Sequence, residues 1–236
     1  MHTIDEIRAR LRMEASLNPT NATRFFKTNP GEYAEHDQFI GVKVPILRTI
    51  ARQYQYLTYD EIIHLLQSPM NEERLLALFI MVHQYQKGSE IIKQEIFELY
   101  LKTIKQINNW NLVDASAHLI IGAHVYEKPN DLLITLAQSP ILWERRIAIV
   151  ATWHAIRKND PTLTIAIARI LLRDTHDLIH KAVGWMLREA GKRNLNALIQ
   201  FLDTHATTMP RTMLRYALEK LSPDAQKKYM LLKQTI

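Results

Sequence analysis

Ser68-Pro69-Met70-Asn71-Glu72-Glu73-Arg74-Leu75-Leu76-Ala77-Leu78 aligns with Ser139-Pro140-Ile141-Leu142-Trp143-Glu144-Arg145-Arg146-Ile147-Ala148-Ile149 at an offset of 71 residues. Half of that offset is about 36 residues, close to the length of one helical hairpin in HEAT-type solenoids. Working outward, apolar residues recur at helical spacing, as in Ile4, Ile7 and Leu11 or Ile91, Ile92, Ile96, Leu99 and Ile104. Breakers fall between the periodic segments: Asn18-Pro19, Asn29-Pro30-Gly31, Lys87-Gly88, Lys128-Pro129, Asp160-Pro161, Met209-Pro210 and Ser222-Pro223, besides the two Ser-Pro pairs. The pattern predicts an all-α chain of about a dozen helices of roughly 10 to 18 residues. The expected architecture is a right-handed superhelical HEAT-like repeat solenoid of paired antiparallel helices, one domain over residues 1–236 with a concave binding face. The longest irregular piece, Thr28 to Lys43, reads as an ordered loop carrying Pro30, Gly31, Glu32, Tyr33 and Asp37.

Composition narrows the function classes. Apolar residues make up 47% and charged residues 23% of 236, which is globular rather than disordered. The absence of cysteine removes disulfides, thiol catalysis and Cys-based zinc or iron–sulfur sites, and suits a reducing cytoplasm. None of the six glycines forms a nucleotide-phosphate loop. The amino-terminal Met1-His2-Thr3-Ile4-Asp5-Glu6 is not signal-like, and no apolar run reaches the ~18 to 20 residues of a membrane span. A cytoplasmic monomer without a membrane partner is expected.

The net charge of +6 is concentrated in one segment. Residues 141 to 220 hold 13 basic and 7 acidic side chains, whereas the remainder holds 17 of each. A basic face of this kind points to a polyanion, nucleic acid first, with an ordinary solvated surface as the competing explanation.

Stepping by about 36 residues links Arg74, Trp110, Arg145 and Lys181. Four residues further along lie Leu78, Asp114, Ile149 and Trp185, on the same helical face. Trp110, Asp114, Arg145, Lys181 and Trp185 are therefore expected to face one groove. An indole and a carboxylate at i and i+4 suit a cation, although Asp114 also reads as an acid placed against the dipole of a helix N-terminus. Arg145, Arg146, Lys181 and Arg188 could follow a nucleic-acid backbone, or Arg145 and Arg146 could pair with Glu144. Gly184 beside Trp185 permits either close helix packing or close approach of a ligand. His176 and His180 stand at i and i+4, but no third ligand can be named. They read as surface or capping groups, and no metal is expected.

The combination resembles the AlkD-type family of bacterial DNA alkylation repair proteins, which are HEAT-like-repeat DNA glycosylases of similar length. The resemblance is densest at Trp110 to Ser116, Leu142 to Ala148 and Lys181 to Glu189. It implies that Trp110, Trp185 and Asp114 form the active-site cleft and that Arg146 holds the DNA backbone. These four are the catalytic candidates, with Arg145, Lys181, Arg188 and Phe25 as further DNA contacts. The family carries a tyrosine in its second helix where this chain reads Arg24-Phe25-Phe26-Lys27, so an aromatic wall without that hydroxyl is expected. The implied activity is excision of cationic N3- or N7-alkylated purines from duplex DNA, with no cofactor. Two readings from other classes stand beside it: a solenoid that binds distorted duplex without excision, and a scaffold for another protein.

Overall fold

The computed structural model describes residues 3–17, 22–129 and 131–232. Met1, His2 and the Asn18-Pro19 breaker lie outside the described residues. Among the described residues every regular element is a helix, and the β-type pairing is an isolated bridge between Gln38 and Met70. The chain is an all-α solenoid of helical repeats whose residues group into two compact units, Met1–Ser116 and Ala117–Ile236.

The first unit contains α1 (Thr3–Leu17), α2 (Val44–Gln53), α3 (Tyr59–Leu66), α4 (Asn71–Lys87), α5 (Glu90–Lys102) and α6 (Trp110–Ser116). α2, α3, α5 and α6 all pack against α4. A helix covered on so many sides must be apolar nearly all round, and Leu75 through Val82 are buried without exception. Its neighbours start on local signals. Thr58 and Glu61 form a reciprocal capping box at α3, Ser89 accepts from the Ile92 amide at α5, and Pro45 stands in the first turn of α2.

The four polar residues that open α4 are buried too, and each has a partner. Glu73 accepts from Arg8 of α1 at 3.1 Å. Glu72 accepts from the successive amides of Ile40 at 3.0 Å and Gly41 at 2.7 Å. Gly41 has φ 92°, a conformation that glycine adopts at no steric cost and that turns both amides toward one carboxylate. Asn71 and Arg74 meet Asp37 of the loop. The long loop is ordered, as expected from its composition. Ala34 N donates to Lys27 O at 3.0 Å, Gln38 N to Pro69 O at 3.1 Å, and Asn71 N back to Gln38 O at 2.8 Å.

The second unit contains α7 (Ile121–Val125), α8 (Asp131–Ala137), α9 (Leu142–Ala151), α10 (Trp153–Arg157), α11 (Thr162–Ile170), α12 (Asp177–Arg193), α13 (Leu195–His205), α14 (Arg211–Leu218) and α15 (Pro223–Met230). α12 is its centre, contacted by α9, α10, α11, α13 and α14. A Cβ on Gly184 would lie 2.4 Å from the Met213 carbonyl oxygen and 2.5 Å from Tyr216 Cβ. The missing side chain therefore serves the close packing of α12 on α14, which decides between the two roles that the sequence left open for it.

Two expectations need correction. Several helices are shorter than predicted: α6 has 7 residues, and α7 and α10 have 5 each. Just before α10 and at the end of α6 a buried hydroxyl bonds a backbone carbonyl. Ser116 Oγ bonds the Leu112 carbonyl and the Tyr100 hydroxyl, and Thr152 Oγ1 bonds the Ile149 carbonyl while accepting from Thr164. Nor does one spacing keep one face throughout. Leu78 and Ile149 are fully buried, whereas Asp114 and Trp185 are half-buried.

Candidate active site

The site in the first unit is built on α6. Asn109 is fully buried just before it, and its Oδ1 accepts from the Trp110 amide at 2.7 Å. Asp114 is the fifth residue of α6, beyond its first turn, so its placement is not that of an acid at the helix N-terminus. Trp110 and Asp114 are both half-buried and line one cavity of about 480 Å³ with Phe25, Phe26, Phe39 and Phe79.

Trp110 is fixed on a face and on an edge. Phe26 stacks against it at 5.2 Å between centroids and against Phe39 at 4.6 Å, with 24° between planes in both pairs. The indole Nε1 donates to the Tyr33 hydroxyl at 3.2 Å. The ring beside Trp110 is therefore Phe26, one residue beyond the expected Phe25. Phe25 is 61% exposed on the cavity lining, with Arg24 over its ring at 5.6 Å. Arg48 lies over Phe79 at 4.2 Å in the same cavity. Asp114 also acts on its surroundings. Burial raises the Tyr100 pKa well above its ordinary value, the hydrogen bond with Ser116 opposes this, and the Asp114 charge adds to the rise.

The second unit holds the other candidates. Trp185 is half-buried, edge-on to Trp153 at 5.1 Å and 65°, and Trp153 leans on buried His118 at 4.5 Å. Sequence reasoning named neither Trp153 nor His118, because the repeat arithmetic does not reach them. Arg146 is 5% exposed and donates to the Leu178 carbonyl at 2.6 Å. Arg145 pairs with Asp174 at 2.6 Å rather than with Glu144, and also donates to the carbonyls of Ser139 and Pro140. Lys181 pairs with Asp177 at 2.7 Å while remaining 41% exposed along its side chain. Arg188 pairs with Glu189 at 3.2 Å and with Glu219.

His176 caps α12, its Nδ1 accepting from the Leu178 amide at 3.1 Å, and His180 Nε2 donates to the Asp174 carbonyl. The first contact requires an unprotonated Nδ1. Independently of that bond, burial lowers the His176 pKa, with the Asp174 charge opposing and Arg145 assisting. Among the described residues no group of three or more His, Asp or Glu is arranged to hold a metal ion, and no helix is long and apolar enough to cross a membrane.

A model of the family described as DNA alkylation repair enzyme matches residues 7–221. The chain belongs to that family. A solved structure titled a predicted DNA alkylation repair enzyme from Enterococcus faecalis is similar in fold, with a TM-score of 0.61. The two sequences are 17% identical, and the match covers 84% of this chain and 98% of the other. A comparison with curated proteins gave no match. Family membership makes alkylation repair the setting in which the cavity, its carboxylate and its aromatic walls are to be understood.

Proposed function

We propose that the protein is a DNA N-glycosylase that releases cationic N3- or N7-alkylated purines from duplex DNA. The observation that supports this reading best is the placement of Asp114 and Trp110 in one aromatic-walled cavity of a DNA alkylation repair family member. An alkylated ring nitrogen makes the purine a cation and a good leaving group. When the N-glycosidic bond breaks, its electron pair neutralises the base, and positive charge develops on the deoxyribose. The Asp114 carboxylate stabilises that charge and orients the water that adds to the anomeric carbon, accepting the proton the water loses. The indole face of Trp110 adds cation–π attraction worth about 0.5 to 2 kcal/mol, and Phe26 and Tyr33 hold it ready at no further conformational cost. The reaction needs no cofactor, because the leaving group is already activated.

Lys181, 41% exposed along its side chain, contributes a phosphate contact in this proposal. The test is release of free 7-methylguanine from methylated duplex by the purified protein. Duplex binding without release would favour the non-excising reading, and no binding at low salt would favour the scaffold.

A further inference from the structure

We propose that Asp37 is a positioning residue for base release, acting through Asn109 on the helix that carries Trp110 and Asp114. The proposal rests on the glycosylase reading and deepens it.

The Asp37 side chain is 5% exposed and receives three donors. They are the Arg74 guanidinium, Asn71 Nδ2 at 2.9 Å and Asn109 Nδ2 at 2.6 Å. Asn109 faces two ways. Its amide nitrogen is held by Asp37, and its amide oxygen holds the first amide of α6 at 2.7 Å. Fixing one end of a planar side-chain amide fixes the other, so the carboxylate of a loop residue sets where α6 begins. Asn71 makes a second tie: its oxygen accepts from Asn111 Nδ2 at 2.7 Å, and Asn111 lies on α6. Asp37 thus orders two amides that grip the same short helix. A helix of 7 residues has little rigidity of its own, and its orientation is imposed by the face it packs on α4 and by what holds its first residues.

The direction of the Asp114 carboxylate depends on that orientation, since a turn of α6 about its axis carries Trp110 and Asp114 together. Preorganised electrostatic catalysis is sensitive to such placement, and misplacement by about 1 Å can lower a rate by about 10²-fold. A merely structural role for Asp37 would alter melting and leave the chemical step unchanged.

The experiment separates these roles with Asn109→Ser, which keeps an oxygen able to cap α6 but, one atom shorter, does not also reach Asp37 as the amide nitrogen does. Single-turnover release of 7-methylguanine is measured against enzyme concentration for the parent, Asn109→Ser, Asp37→Asn and the double variant. This gives the maximal rate separately from DNA affinity. The expected result is a folded Asn109→Ser protein with affinity within about threefold of the parent and a maximal rate at least about tenfold lower. The double variant is expected to be no slower than the slower single variant, since both changes cut one link. A parent-like maximal rate in folded Asn109→Ser overturns the proposal, as do multiplicative losses in the double variant. Where Asp37→Asn does not fold, the rate of Asn109→Ser decides. The indole N–H resonance of Trp110, assigned with Trp110→Phe, reads the same link without turnover. It is expected to move in Asn109→Ser, and a fixed resonance overturns the proposal even in an active protein. Failure of the parent to release base overturns the glycosylase reading instead, together with the catalytic role drawn from it.

Discussion

Arg74 and Arg145, 71 residues apart in sequence, make the same contacts in their respective units. Each guanidinium donates to the serine carbonyl of a Ser-Pro turn, at 2.8 Å for Ser68 and 3.0 Å for Ser139, and each pairs with an aspartate, Asp37 or Asp174. Each serine hydroxyl in turn accepts from the amide two residues on, at 3.1 Å from Met70 and 3.0 Å from Ile141. The internal repeat is thus a repeated device that ties a turn to the helix after it.

The device predicts unequal costs. Both side chains of the Arg74–Asp37 pair are 5 to 6% exposed, whereas Arg145 is 18% exposed beside Asp174. Arg74→Ala leaves a buried carboxylate without its cation and is expected to destabilise the fold by about 3 to 5 kcal/mol. Arg145→Ala is expected to cost less, because water reaches the site it vacates. Denaturant unfolding of the two variants checks the order.

Lys181 should behave oppositely. Its pair with Asp177 is an exposed i, i+4 contact worth about 0.3 to 0.5 kcal/mol, so Lys181→Ala should melt close to the parent. As a phosphate contact it should weaken duplex binding alike for all sequences and flatten the slope of log K against log salt by roughly one unit. Titrations at several salt concentrations read both effects.

Acid should destabilise the protein before its carboxylates titrate. His83, His154, His176 and His205 are all held below the ordinary value of 6.5, with burial the largest cause in each. A fold that resists protonating these rings keeps their contribution above pH 6.5 and loses it as pH falls through the lower folded values. Melting temperature is therefore expected to drop between pH 7 and pH 5. His176→Asn retains a capping oxygen and should make that drop shallower. A flat profile in both proteins would contradict the assignment.

The fold was legible because apolar spacing and Ser-Pro breakers are local signals. Trp110 and Asp114 were legible for the same reason, being one helical turn apart. The scaffolding around them was not. Tyr33, Asp37 and Phe39 reach α6 from an irregular loop, where no periodicity tells which side chain points where. Phe26 displaced Phe25 as the stacked ring through a one-residue difference in a short turn, which helical arithmetic cannot resolve. Trp153 lay hidden because Thr152 breaks the helix just before it. Arg145 and Arg188 read from the sequence as contacts to a nucleic-acid backbone; their carboxylate partners Asp174 and Glu219 lie 29 and 31 residues away, beyond any local pattern.

The central claim is that the Asp114 charge carries base release. Asp114→Asn is nearly isosteric, preserves the packing around Trp110 and removes only that charge. The measurement is single-turnover release of 7-methylguanine from methylated duplex with enzyme in excess, beside the melting temperature of the same samples. The account predicts a variant that melts within about 1 kcal/mol of the parent, binds duplex at least as well, and releases base about 10² to 10³ times more slowly. A stable Asp114→Asn protein that releases base at the parent's rate would contradict it.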